Sequence, residues 1–121
     1  MGRCGRFTWY KHVTYLTKTY QLKAAHMLEH ELKINSGKVH GHLYVLEVTV
    51  TGEPDSVHGM IISRNELDRI VNENILQRFD HTYLNTHMKH TSGEWIVSEW
   101  YGILKASELG SRLVSVQLQE T

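Results

Sequence analysis

Three features of the sequence predict an α+β fold in which helices lie on an antiparallel sheet. Residues 42–51 alternate strictly between two faces, the period becomes helical from Ser63, and alternation returns over residues 114–119. Strands, then helices, then a strand is the order of an antiparallel sheet with its helices gathered on it, rather than of repeated parallel crossovers.

The first strand is predicted over residues 7–22, rich in Tyr, Thr, Val and aromatic residues and free of Gly and Pro. In 42–51, Tyr44, Leu46, Val48 and Val50 form one apolar face, and Leu43, Val45, Glu47 and Thr49 the other. Gly52-Glu53-Pro54-Asp55 closes this strand as a turn. Ser63 followed by Glu66 reads as a capping box, and Leu67, Ile70, Val71, Ile75 and Phe79 recur at helical spacing. Thr91 and Glu94 repeat the box ahead of a second helix carrying Ile96, Trp100, Ile103 and Leu104 on one face, with Gly110 at its end. Val114, Val116 and Leu118 then alternate with Ser115, Gln117 and Gln119 as the last strand. An open sheet of this kind has free edges, which small chains often cover by oligomerising.

The 121 residues suit a single domain, 1–121, and no repeat or low-complexity linker divides them. Thirteen basic residues balance thirteen acidic ones, so there is no electrostatic footprint for nucleic acid and no polybasic membrane anchor. A lone cysteine, Cys4, fits a reducing compartment. The N-terminal residues lack an apolar signal-peptide core, and Arg6 stands where a myristoylation motif needs Ser or Thr. A cytoplasmic protein engaged in small-molecule chemistry or protein assembly is therefore expected. The compositional outlier is histidine, nine in all.

His40-Gly41-His42 opens the alternating strand, and residues two apart in a strand point to the same side, so both imidazoles can reach one metal ion. His26, after Ala24-Ala25, is placed to converge as a third ligand. Three neutral histidines with an open fourth position are the donor set of catalytic zinc, although His-x-His also occurs as an ordinary surface or core pair. Asp80-His81 follows the first helix. A carboxylate beside an imidazole can orient it for proton transfer, while the plainer reading is a helix-end turn. Glu120 reads as a terminal carboxylate on a strand end. His12, His30, His58, His87 and His90 have no partner spacing and are expected in solvent.

Together these motifs resemble the 6-pyruvoyl-tetrahydropterin and 6-carboxy-tetrahydropterin synthase family, from about Tyr20 to Thr121. Ala24-Ala25-His26 with Val39-His40-Gly41-His42 matches its zinc triad. Thr51-Gly52-Glu53-Pro54-Asp55 and Gly59-Met60-Ile61-Ile62 match its second hairpin. Phe79-Asp80-His81 with Tyr83-Leu84-Asn85 matches the segment bearing its catalytic Asp-His, and Glu120-Thr121 its pterin-gripping Glu-Thr. The resemblance implies the tunnelling fold, a four-stranded antiparallel sheet with two helices on one face. It implies trimers or stacked pairs of trimers with sites between subunits. It further implies a zinc-dependent lyase acting on 7,8-dihydroneopterin triphosphate, with Zn2+ on His26, His40 and His42. Glu120 would hold the pterin, Glu94 and Ser92 would line the pocket, and Asp80 and His81 would move protons.

The sequence also departs from the family. Ser36 occupies the catalytic Cys position, four residues before His40, a spacing resembling the 6-carboxy branch of the queuosine route. Ser63-Arg64 replaces an Asp-Phe, and Thr91-Ser92-Gly93-Glu94 replaces a Pro-Thr-Ser-Glu. Two alternatives to the synthase follow: a related pterin lyase or aldolase using Glu31 or Glu29 as base, and a non-catalytic pterin- or zinc-binding homologue.

Overall fold

The computed structural model describes residues 2–28 and 38–121, with side chains from Gly5 onward. Ser36, Glu29, Glu31 and His30 lie outside the described residues. The chain runs β1 (Gly2–Tyr10), β2 (Val13–His26), β3 (His40–Thr51), α1 (Arg64–Val71), a π-helical turn (Asn72–Leu76), α2 (Gln77–Phe79), β4 (Thr82–Tyr83), α3 (Gly93–Lys105) and β5 (Leu113–Glu120). The sheet order is β1-β2-β3-β5, all antiparallel, and β4 pairs in parallel with β2 at Ala24 and Ala25, beyond the reach of β1.

One expected strand is in fact a hairpin. Residues 7–22 turn at Lys11 and His12, both with positive φ (51° and 67°). That is the two-residue turn whose twist suits adjoining strands, and it is usually marked by Asn or Gly. Neither occurs here, so the sequence hides the turn. Edge strand β1 leaves Phe7, Trp9 and Tyr10 largely exposed.

β2 and β3 pair without interruption from Tyr15↔Thr51 to His26↔His40. Their inner faces, Leu16, Tyr20, Leu22 and Ala24 on β2 and Tyr44, Leu46, Val48 and Val50 on β3, are buried beneath the helices. Each fully buried Leu or Val contributes roughly 1.5–3 kcal/mol of transfer free energy. Ser63 caps α1 by accepting the Glu66 N–H at 3.1 Å. Leu67, Val71, Ile75 and Phe79 recur every fourth residue, which drifts about 40° per step on an ideal α-helix. The π turn absorbs the drift, and all four stay buried.

Lys18 also points inward from β2. Its Nζ lies 2.7 Å from Asp68 Oδ1 on α1, and the same oxygen accepts the Tyr20 hydroxyl at 2.8 Å. This pins α1 to the sheet, and burial followed by the Asp68 bond pushes the Tyr20 phenol pKa up.

Four boundaries differ from expectation. The cap of α3 is Ser92, which accepts the Trp95 N–H, while Thr91 is buried with its hydroxyl turned to Met27 and Asn85. α3 ends at Lys105, and Gly110 (φ 52°) instead opens a 3-10 turn. A register shift between Thr49 and Val50 puts Leu113 in the core and Val114 in solvent, against the simple alternation. Residues 59–62 form no strand; Asp55 closes that loop by accepting the Val57 and His58 N–H groups. Among the described residues no helix is long and apolar enough to cross a membrane.

Candidate metal centre

Register builds the centre. His26 stands directly opposite His40, and His42 lies opposite Ala24, so all three imidazoles share the inner face at the ends of β2 and β3. The small Ala24 leaves room for the His42 ring. Ring centroids lie 4.6, 4.9 and 5.0 Å apart, and one nitrogen from each residue falls within 4.8 Å of the others. His26 Nε2 and His40 Nε2 are 3.0 Å apart.

Each ring's other nitrogen faces a main-chain oxygen. His26 Nδ1 lies 2.7 Å from Thr91 O, His40 Nδ1 3.0 Å from Lys38 O, and His42 Nδ1 2.7 Å from Thr121 O. Donation from Nδ1 fixes the tautomer and leaves three Nε2 lone pairs converging, the outer-shell arrangement of metal-ligating histidines. Burial holds the His26 pKa below the ordinary imidazole value, outweighing its Thr91 bond, and so favours the neutral ligand form. The donor set fits a divalent ion of the zinc type.

The support for this shell is itself hydrogen-bonded. Asn85 Oδ1 accepts the Met27 N–H at 2.9 Å, Asn85 Nδ2 donates to Met27 O at 3.0 Å, and the Thr91 hydroxyl shares its proton between Met27 O and Asn85 Oδ1. This clamp ties the chain after His26 to the residue whose carbonyl holds the His26 ring. Asn85 falls within a motif noted in the sequence, but its role depends on a partner 58 residues away and so had no local signal.

Glu120 joins the centre. It pairs with Tyr44, which puts its side chain on the histidine face, and its Oε2 lies 3.8 Å from His42 Nε2 and 3.9 Å from His26 Nε2. Tyr44 donates to the same oxygen at 3.4 Å, and burial followed by this carboxylate pushes the Tyr44 phenol pKa up. Thr121 ties the strand end down, its N–H and hydroxyl both donating to Leu43 O. Beneath Tyr44 lies Trp100, fully buried and without a partner for its indole N–H among the described residues. Ser92 and Glu94 flank Gly93 at the start of α3; the Ser92 hydroxyl is engaged as the cap, and Glu94 is exposed.

Asp80 and His81 are anchored to the backbone of β2. Asp80 Oδ1 accepts the Lys23 N–H at 2.8 Å, and His81, at φ 60°, donates its N–H to Lys23 O at 2.6 Å. The turn reading therefore holds for the backbone, yet Asp80 Oδ2 still lies 3.3 Å from His81 Nδ1. The exposed His81 borders a hollow of about 490 Å³ whose lining includes Lys23, Ala25, Gly41 and Leu43 and also His42 of the triad. His12, His58, His87 and His90 are exposed, as expected.

Residues 15–121 match the family model described as 6-pyruvoyl tetrahydropterin synthase. The chain belongs to this family. An Archaeoglobus fulgidus protein, provisionally named 6-carboxy-5,6,7,8-tetrahydropterin synthase, is 36% identical over 97 residues, spanning 80% of this chain and 81% of its own. The Bacillus subtilis 6-carboxy-5,6,7,8-tetrahydropterin synthase is 33% identical over 72 residues, 60% of this chain and 47% of that protein. The 6-pyruvoyl tetrahydrobiopterin synthase of Drosophila melanogaster is 34% identical over 110 residues, and the match covers 84% of this chain and 64% of that protein. The chain thus spans about half to two thirds of these last two relatives. The structure of Caenorhabditis elegans 6-pyruvoyl tetrahydropterin synthase superposes with a TM-score of 0.80 at 25% identity, covering 90% of this chain and 89% of the other. The tetrahydropterin synthase architecture, α+β with two helices on an antiparallel sheet, is the one expected. β1 precedes the matched residues.

Proposed function

We propose that this protein is a zinc-dependent pterin lyase acting on 7,8-dihydroneopterin triphosphate, of the 6-carboxy- or 6-pyruvoyl-tetrahydropterin synthase type. The observation that carries this reading is the triad His26, His40 and His42 with every Nδ1 held by a main-chain oxygen, in a chain matching the family over residues 15–121. Zinc there would polarise a substrate oxygen and favour loss of the adjacent proton. Glu120 would accept hydrogen bonds from the pterin's amino group and ring N–H, a bidentate match for a carboxylate. Tyr44, kept protonated by burial, would orient that carboxylate. Asp80 would hold the His81 ring at Nδ1, leaving Nε2 to take or give a proton. His81 and His42 line one hollow, so this pair would act beside the triad, in a site completed between subunits in keeping with a homo-oligomer.

A second reading rests on Ser36 at the catalytic Cys position: a different pterin reaction with Glu31 as base, or binding without turnover. Mass spectrometry of products from zinc-loaded protein incubated with 7,8-dihydroneopterin triphosphate tests both. A carboxy- or pyruvoyl-tetrahydropterin supports the first reading. An aldol cleavage product, or a bound but unchanged pterin, supports the second, and failure to bind any pterin defeats both.

A further inference from the structure

Glu120 stands closer to the three histidines than a residue reserved for a distant pterin ring needs to. Its Oε2 is 3.8 and 3.9 Å from two of the three Nε2 atoms, too far for a hydrogen bond. Neighbouring ligands of a tetrahedral zinc ion, at bond lengths of about 2.0–2.2 Å, lie roughly 3.4 Å apart. The carboxylate oxygen is thus within about half an ångström of the spacing that a fourth ligand would have. It is also supported as ligating carboxylates are, by the Tyr44 hydroxyl on the same oxygen and by strand pairing that fixes its backbone.

An independent observation concerns the space the carboxylate occupies. Its other oxygen, Oε1, lies against Gly93, where an added Cβ would stand 3.3 Å from Oε1 and 3.8 Å from the carboxyl carbon. The glycine at that place leaves Glu120 free to lean onto the triad.

We propose that Glu120 is the fourth ligand of the metal centre when no pterin is bound. This rests on the metal reading of the triad. The carboxylate then has two positions, on the metal at rest and on the pterin when one arrives, so that ligand binding opens the centre.

The test uses protein loaded with Co2+, whose visible absorption reports its ligand set, together with zinc affinity measured against a competing chelator. Glu120→Ala should bind zinc about tenfold or more weakly and show an altered Co2+ spectrum. Excess acetate, a free carboxylate, should return that spectrum toward wild type while leaving the wild-type spectrum unmoved. Gly93→Ala, which crowds Oε1 without removing it, should shift the spectrum part of the way. Identical affinity and spectrum in Glu120→Ala and wild type would overturn the proposal and leave the triad intact. A changed spectrum that acetate does not move would overturn it too, because the loss would then be structural. Wild-type protein that takes up no metal would defeat the triad reading along with it.

Discussion

Replacing Asn85 by Ala removes the clamp between the end of β2 and the residue that holds the His26 ring. Three neutral hydrogen bonds are lost, with donor–acceptor distances of 2.9, 3.0 and 3.2 Å. Each contributes about 0.5–1.5 kcal/mol net. Met27 is half-buried, so water replaces part of what is lost, and the expected destabilisation of metal-free protein is about 2 kcal/mol. The consequence for function is separate. With Thr91 loosened, its carbonyl no longer fixes the His26 ring, and zinc affinity should fall by about tenfold, the scale on which outer-shell partners act. Urea unfolding of metal-free protein and chelator competition read the two effects independently. Asn85→Asp keeps the acceptor for Met27 N–H and Thr91 but sets a carboxylate oxygen against Met27 O, so it too should destabilise metal-free protein. A destabilised Asn85→Ala that binds zinc as tightly as wild type would refute the coupling, and Thr91 would then be positioned by α3 alone.

Metal analysis should find one zinc per chain and none once His26, His40 and His42 are all replaced by Ala. Because burial lowers the His26 pKa, the folded metal-free protein binds fewer protons than the unfolded chain. Its stability should be fully present above the ordinary imidazole value of about 6.5 and decline as pH falls below it, an effect His26→Gln should abolish in pH-dependent unfolding. Lys18→Met keeps the apolar stem but leaves Asp68 with only its Tyr20 partner. With Lys18 nearly inaccessible and Asp68 23% exposed, denaturant unfolding should show a loss of about 2 kcal/mol, below the 3–5 typical of a fully buried broken pair. Ser36→Cys restores a thiol that ionises far more readily than a hydroxyl, and turnover of 7,8-dihydroneopterin triphosphate should rise by roughly 10²–10⁴-fold. If Glu31 is the base instead, that variant will change little and Glu31→Gln will abolish whatever turnover exists. Glu120→Gln should weaken pterin binding by about 2–5 kcal/mol, measured by titration on zinc-loaded protein.

The sequence by itself determined the layers and which histidines share a strand face. Strict alternation over 42–51 marks a strand whatever lies beside it, and the same period puts His40 and His42 on one side. Leu67, Ile70, Ile75 and Trp100 declare buried helix faces because apolar residues at that spacing have nowhere else to go. These are local properties, carried by residues within a turn or two of one another. The tertiary structure alone decided the rest. Lys11 and His12 turn the chain with positive φ because the hairpin they close supplies the compensating strand pairing. Leu113 displaces Val114 from the core because β3 sets the register of β5. Above all, the neighbours that make three histidines a candidate metal centre arrive from far along the chain: Thr91 to His26, Thr121 to His42, and Glu120 to both. Contacts of that separation leave no periodic trace in a sequence. They exist only after two strands have paired and a helix has closed over them, when polar groups leaving water must find whichever partners the fold brings within reach.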